Sequence, residues 1–148
     1  MNLPISIILA EDDEDDRLFF KDALRELTIP TQLTTVNDGE QLMMFLNNAE
    51  NALAHVLFLD INMPRKSGFD CLAEIRNSER LNLLPIIIFS TSFDKQVVNQ
   101  LHDLGANYYM RKPGGYLRLK EIIQRSLDLM ITTGLDQPVK ERFVLNVV

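Results

Sequence analysis

Acidic, hydroxyl and basic side chains follow several short apolar runs in this chain, at the places where buried β-strands would end. The clearest is Asp60, which follows the apolar run 56–59 and precedes Pro64. A buried carboxylate is costly unless another group pairs with it. Other apolar runs are followed by Glu11-Asp12-Asp13, by Ser90-Thr91 and by Arg111-Lys112-Pro113. A fold that gathers these residues would contain an acidic site with a hydroxyl and an ammonium group.

That set of side chains suits metal-assisted phosphoryl transfer. Glu11, Asp12 and Asp60 offer carboxylate oxygens, which are ligands for a hard cation such as Mg²⁺. The cation would offset their mutual repulsion and neutralise an incoming phosphoryl group. Asp60 is the candidate nucleophile, because carboxylates can form acyl phosphates. Lys112 and the Ser90 hydroxyl are candidates to contact the phosphoryl oxygens.

Five apolar runs alternate with segments of helical spacing. Several of the intervening segments repeat apolar residues at i, i+3, i+4 and i+7. Asp38 and Asp94 are candidate N-caps, and Gly105 is a candidate residue just past a helix end. The alternation predicts an α/β fold with a doubly wound parallel sheet and helices on both faces. Its predicted strands are Ile5–Ala10, 32–36, 55–59, 86–89 and 107–110.

The carboxyl ends of parallel strands meet at one edge of a sheet, where ligands of such folds bind. The four polar motifs follow four of the predicted strands. The topology therefore predicts that they converge in one site.

Composition and charge narrow the class of protein. A chain of 148 residues with 46% apolar and 24% charged residues is typical of one globular domain. Its net charge of -6 argues against general binding to nucleic acid or anionic membranes. The single cysteine, Cys71, excludes an internal disulfide framework and suits a reducing compartment. With neither a signal-peptide pattern nor a membrane-spanning apolar stretch, we expect a cytoplasmic protein that does not enter a membrane.

The C-terminal residues differ from the rest of the chain. We expect a domain over residues 1–132, followed by a tail over residues 133–148. The tail holds a charged patch and then the apolar residues Phe143-Val144-Leu145. Two interpretations stay open: the tail packs on its own domain or is partly disordered, or it forms a strand that faces a partner or a second copy in a homodimer.

The ordered set of motifs resembles the receiver domains of two-component response regulators. The resemblance is carried by residues 7–12, 58–64, Gly68, 85–91 and 105–113. It implies a five-stranded parallel sheet in the flavodoxin-like order 2-1-3-4-5. It also implies that Asp60 accepts a phosphoryl group from a histidine kinase or phosphotransfer protein in a Mg²⁺-dependent reaction.

The resemblance also assigns expected roles to individual residues. Glu11 and Asp12 match the acidic pair that holds the metal, and Asn62 matches the position that ligates it through a backbone carbonyl. Lys112 matches the lysine of the family motif. Ser90 matches the switch hydroxyl, and Tyr109 matches the aromatic residue that moves inward when this hydroxyl engages phosphate.

The leading hypothesis is a single-domain response regulator with no DNA-binding domain, which signals by protein–protein interaction with a downstream partner. It would be a phosphoacceptor switch and not an enzyme beyond its own phosphorylation and dephosphorylation. One alternative is a phosphohydrolase with an aspartyl nucleophile, although Asn62 stands where such enzymes carry a second acid. Two others are a flavodoxin-like cofactor binder, in which the acids at 11–13 would repel a phosphate, and a receiver fold that binds partners without phosphorylation.

Overall fold

Six parallel strands form one sheet in the order β2-β1-β3-β4-β5-β6. The fold is described for residues 4–133 and 136–145 by a computed structural model. The strands are β1 (Ile5–Ala10), β2 (Thr31–Val36), β3 (Val56–Leu59), β4 (Ile86–Ser90), β5 (Tyr108–Arg111) and β6 (Val144–Leu145). The predicted parallel α/β architecture and the order 2-1-3-4-5 are confirmed, and the predicted count of five strands becomes six because the tail contributes β6.

In the described part of the chain, six helices connect or follow the strands. They are α1 (Glu14–Arg25), α2 (Gly39–Asn47), α3 (Gly68–Arg76), α4 (Lys95–Asp103), α5 (Tyr116–Thr133) and α6 (Lys140–Phe143). Asp38 and Asp94 cap α2 and α4 as predicted, because each side chain accepts a hydrogen bond from a backbone N–H of the first turn. Gly105 follows α4 with a φ of 103°, a left-handed conformation that glycine adopts without strain.

The sheet separates two apolar layers. Successive side chains of a strand point to opposite faces, so β1, β3 and β4 must be apolar on both sides. On one face α1 and α5 cover the sheet, with Phe20, Ile123 and Leu127 among the buried residues. On the other face α2, α3 and α4 cover it, with Leu42, Leu72 and Leu101 among the buried residues.

The C-terminal segment, residues 136–145, packs along α4 and β5. Strand β6 pairs in parallel with β5, in the register Tyr109 with Val144 and Met110 with Leu145. Phe143 is 1% exposed and lies in the same apolar layer as α4. Residues 143–145 therefore contact the rest of this chain, whereas the division into a domain and a tail and the alternative of a dimer interface stay predictions. The last three residues of the tail lie outside the described parts of the chain.

Polar contacts add to this packing. The Gln137 amide donates to the carbonyl oxygens of His102 and Ala106, over 2.6 and 2.8 Å. The Lys140 ammonium lies 3.0 Å from an Asp103 carboxylate oxygen. Within the described ranges, none of the helices combines the length and the apolar character that a bilayer crossing requires.

Candidate functional site

Three carboxylates converge where β1 and β3 end. Each of Glu11, Asp12 and Asp60 offers an oxygen, and the three oxygens lie within 4.8 Å of one another. The Asp60 N–H donates to the Ala10 carbonyl over 3.0 Å, which holds Asp60 beside the end of β1. Glu11 is 0% exposed and Asp60 is 5% exposed, whereas Asp12 faces solvent. The three acids therefore lie together at the ends of β1 and β3, as the sequence predicts.

Lys112 reaches this cluster from the end of β5. Its backbone N–H donates to the Ser90 carbonyl over 2.8 Å, which fixes Lys112 beside the end of β4. The Lys112 ammonium donates to a Glu11 carboxylate oxygen and lies 3.7 Å from an Asp60 carboxylate oxygen. The same ammonium lies 4.9 Å from the centre of the Phe89 ring, a distance typical of a cation–π contact.

Burial changes the acidity of the clustered groups. It raises the pKa of Glu11 to about 8, because desolvation penalises the charged carboxylate and the neighbouring Asp60 adds to this effect. Burial also raises the pKa of Asp60. For Lys112, burial lowers the pKa, but the bonds to Glu11 and Asp16 outweigh it and leave the pKa raised. An acidic cluster of this kind favours a bound cation that offsets its negative charge.

The connection after β3 is held close to Asp60. The Asn62 N–H donates to an Asp60 carboxylate oxygen over 3.2 Å, and the Gly68 N–H donates to the Ile61 carbonyl over 2.9 Å. A Cβ on Gly68 would lie 2.3 Å from the Asp60 carbonyl oxygen, so only glycine fits without rearrangement. The role of the Asn62 carbonyl as a metal ligand stays a prediction.

Ser90 and Tyr109 are joined through the backbone of Ser92. The Ser90 hydroxyl accepts a hydrogen bond from the Ser92 N–H over 3.2 Å. The Tyr109 hydroxyl donates to the Ser92 carbonyl oxygen. The Tyr109 ring is 0% exposed, with the rings of Phe93 and Phe143 at centroid distances of 6.2 and 6.4 Å.

Tyr109 does not lie on an edge strand. Strand β6 pairs with the outer side of β5, and the Tyr109 side chain is fully buried. The family role implied an inward movement of this ring on phosphorylation. Here the ring is already inward, packed against Phe143 of the C-terminal segment.

One residue at the site was not singled out from the sequence. Asp16 lies in the first turn of α1, and its carboxylate oxygen is 2.9 Å from the Lys112 ammonium. An acidic run at a helix start is ordinarily explained by the helix dipole, so composition alone hides this contact. Its position in the helix that follows β1, at the same edge of the sheet as Lys112, could have indicated the contact.

His55, His102 and Cys71 do not belong to the acidic cluster of Glu11, Asp12 and Asp60. The Ser6 N–H donates to Nδ1 of His55 over 2.9 Å. Nε2 of His102 lies 2.7 Å from the Pro138 carbonyl oxygen, and its ring packs edge-on against Phe143. Cys71 is buried, and desolvation raises the pKa of its thiol to about 11. His102 and Cys71 are thus packed within the domain, whereas His55 is exposed and accepts one backbone hydrogen bond.

Comparison with known proteins agrees with this geometry. Residues 7–124 match the family model for the response regulator receiver domain. The response regulator Rcp1 of Synechocystis sp. is 31% identical over 127 residues, covering 83% of this chain and 86% of that protein. A probable chemotaxis protein CheY of Rhizobium etli is 29% identical over 120 residues, covering 81% of this chain and 90% of that protein.

Solved structures of response regulators are also similar to this chain. The phosphorylated cyanobacterial phytochrome response regulator RcpA superposes with a TM-score of 0.82 at 29% identity, over 89% of this chain and 97% of that one. The Mn²⁺-bound form of Rcp1 superposes with a TM-score of 0.78 at 26% identity, over 92% of this chain and all of that one. The first of these proteins is phosphorylated, and the second is bound to a metal ion.

Proposed function

Because this chain belongs to the response regulator receiver domain family, we propose that it accepts a phosphoryl group on Asp60 in a Mg²⁺-dependent reaction. Proteins of this family act as phosphoacceptor switches and not as turnover enzymes. The observation that carries the proposal is the placement of Asp60, which is nearly buried beside two other carboxylates and 3.7 Å from the Lys112 ammonium.

Asp60 is the nucleophile. An oxygen of its carboxylate forms a bond to phosphorus while the bond between phosphorus and the donor nitrogen of a phosphohistidine breaks, and the electron pair leaves with the imidazole. Lys112 neutralises charge on the phosphoryl oxygens, and the Ser90 hydroxyl donates to one of them. The Ser90 hydroxyl can donate in this way while its oxygen accepts the hydrogen bond from the Ser92 N–H.

The metal site consists of the side chains of Glu11, Asp12 and Asp60 and the backbone carbonyl of Asn62. Three oxygen ligands on two strand ends fit a hard divalent cation, which keeps several waters of its own. The ion supplies positive charge that screens the carboxylates from an incoming phosphate. The relative solved with Mn²⁺ supports a divalent site here, and the all-oxygen ligands are compatible with Mg²⁺.

Phosphorylation is read through Ser90 and Tyr109. A new charge of about -1.5 to -2 on Asp60 attracts the Ser90 hydroxyl. Movement of Ser90 disturbs the Ser92 N–H, and the Ser92 carbonyl in turn holds the Tyr109 hydroxyl. The signal thus passes to α4, to β5 and to the C-terminal segment that covers them.

The expected partners follow from this mechanism. A histidine kinase or phosphotransfer protein supplies the phosphoryl group in the cytoplasm, and a downstream protein reads the result. The receiver over residues 1–132 and the tail over residues 133–148 work as one unit, which the packing of residues 136–145 supports. A homodimer formed through the tail is the competing arrangement for the same segment. The near-complete coverage of Rcp1 and of the Rhizobium protein supports action as a stand-alone receiver.

The test is phosphorylation of the purified protein with acetyl phosphate and Mg²⁺, followed by intact-mass measurement. We expect one labile phosphoryl group per chain. No phosphoryl group should form when a chelator is present from the start. Asp60→Asn should abolish it, and the matched variant Asp70→Asn, an exposed acid at the start of α3, should not. Labelling that persists in Asp60→Asn would overturn the assignment. Sustained hydrolysis of phosphate monoesters would favour the phosphohydrolase instead.

A further inference from the structure

We propose that Asp16 is a positioning residue for Lys112 in this phosphoryl transfer. The inference rests on the proposed function, because it concerns the same site. It adds a residue from the first turn of α1 to a machinery otherwise located at the ends of β1, β3, β4 and β5.

The ammonium of Lys112 has three N–H donors. One donates to Glu11, and a second reaches the Asp16 carboxylate oxygen over 2.9 Å. The remaining donor side faces the Asp60 oxygen at 3.7 Å, which is beyond hydrogen-bond length. A phosphoryl oxygen on Asp60 would approach the ammonium from this third direction. The two anchors therefore orient the group that must meet it.

Asp16 is itself held in place by the start of the helix. Its backbone N–H donates to the Asp13 carboxylate over 3.0 Å, which caps α1. The next residue, Arg17, donates from its guanidinium to the Glu11 carbonyl oxygen over 2.8 Å. Two hydrogen bonds thus connect the first turn of α1 to the residues that follow β1, and they fix the backbone that carries the Asp16 side chain.

Helix-dipole stabilisation alone does not account for the contact. Glu14 and Asp15 occupy the same acidic first turn and face solvent, whereas the side chain of Asp16 is 34% exposed and turned to Lys112. The side chain of Lys112 is 11% exposed. A lysine fixed in this way has already lost rotamer freedom that a free lysine would lose during the reaction.

The anchor matters most once a cation binds. Glu11 then shares its charge with the metal and holds Lys112 less strongly, because a cation competes with the ammonium for the same carboxylate. Asp16, which is not part of the three-carboxylate cluster, keeps its full charge for Lys112. It therefore maintains the position of the ammonium during transfer.

The test compares Asp16→Asn with Asp15→Asn. Both variants remove one carboxylate from the same helical turn and change the net charge equally, but only Asp16 contacts Lys112. With acetyl phosphate and saturating Mg²⁺, we expect Asp16→Asn to lower the phosphorylation rate at saturating donor by about three- to tenfold. The half-saturating donor concentration should change less than about twofold, because positioning acts on the transition state and not on donor binding.

Two further measurements separate positioning from a general loss of structure. Asp16→Glu should recover most of the rate, because it restores the charge. Amine labelling of Lys112, followed by mass spectrometry, should be faster in Asp16→Asn than in Asp15→Asn, and this readout needs no phosphorylation. Failure of the parent protein to phosphorylate would overturn the proposed function, whereas labelling still reports the Asp16 contact. Equal rates and equal labelling for the two Asn variants would overturn the role of Asp16.

Discussion

Phe143 of the C-terminal segment packs its ring against Tyr109 of β5, with a centroid distance of 6.4 Å. Both side chains are fully buried, although one belongs to the sheet of the receiver and the other to the tail. The same Phe143 ring also meets His102 of α4 edge-on, at 5.0 Å. The tail is thus part of the apolar core on this side of the sheet.

Phe143→Ala should therefore destabilise the protein. Removal of a buried aromatic ring leaves a cavity and is expected to lower the free energy of unfolding by about 3 to 5 kcal/mol. Denaturant unfolding followed by circular dichroism measures the change. Val139→Ala, an exposed residue of the same segment, is the control and should change it by less than about 0.5 kcal/mol. A loss below about 1 kcal/mol for Phe143→Ala would show that the tail does not pack as described.

Removal of residues 134–148 should promote self-association. The truncation uncovers the outer side of β5 and the ring of Tyr109, and such surfaces attract other chains. Sedimentation velocity at matched concentrations should give a larger average mass for the truncated chain than for the full chain. If truncation instead converts a dimer of the full chain to monomers, the tail forms the dimer interface that the sequence left open.

Gly68→Ala should impair both folding and phosphorylation. The added Cβ would lie 2.3 Å from the Asp60 carbonyl oxygen and 2.7 Å from Cα of Ile61, so the connection after β3 must move. We expect a loss of about 1 to 3 kcal/mol in stability, with slower phosphorylation of Asp60. Gly114→Ala is the matched control, because no atom lies within 4 Å of its Cβ position. Equal behaviour of the two variants would contradict the close approach.

Arg76→Ala should destabilise the side of the domain around α3 and α4. The guanidinium donates to the carbonyl oxygens of Gly105 and Leu84, over 2.9 and 2.7 Å, and to the Asn107 side chain over 3.1 Å. Its loss leaves these acceptors without their charged donor, at an expected cost of about 2 to 4 kcal/mol. Thermal and denaturant unfolding measure this. Arg25→Ala, at an exposed residue at the end of α1, should hardly change the free energy of unfolding. A similar loss of stability in this control would contradict the explanation given for Arg76.

The raised pKa of Glu11 predicts that metal affinity depends on pH. Its folded-state pKa of about 8 lies above the ordinary value of 4.5, so between these values the folded metal-free protein holds a proton that the unfolded chain has released. The metal-free protein therefore loses stability as pH rises through this window. In the proposed metal site Mg²⁺ would bind the ionised carboxylate, so we expect its affinity to increase as pH rises toward 8.

Thermal unfolding with and without Mg²⁺ checks this prediction. The rise in Tm caused by Mg²⁺ should be larger at pH 8 than at pH 6. Glu11→Gln should bind the ion more weakly and with a smaller pH dependence, because the titrating carboxyl is gone. The same Tm rise at both pH values in the unmodified protein would contradict the raised pKa of Glu11.

Much of the fold follows from local patterns. Strand β1 has the predicted bounds, and the caps Asp38 and Asp94 lie where the sequence indicated, because apolar periodicity and capping residues act over a few neighbours. The convergence of Asp60 with Asp12 follows from the rule that parallel strands end at one edge.

Two features depend on long-range contacts and were not predicted. In the sequence, the residues of β6 are recognisable only as an apolar segment near the C-terminus. Their pairing with β5 depends on how α5 returns the chain across the sheet. The inward position of Tyr109 depends on Phe143, which is distant in sequence. The contact of Asp16 was not predicted for a different reason, because an acidic residue at a helix start is already explained by the helix dipole.

The tethering of the C-terminal segment to its own domain also affects recognition. A covalently attached segment reaches the face formed by α4 and β5 at an effective concentration on the order of millimolar. A protein that binds this face must displace Phe143 and the Gln137 hydrogen bonds, so its apparent affinity is its intrinsic affinity multiplied by the fraction of chains in which the segment is released. The segment thus acts as an intramolecular competitor that excludes weak ligands from this face.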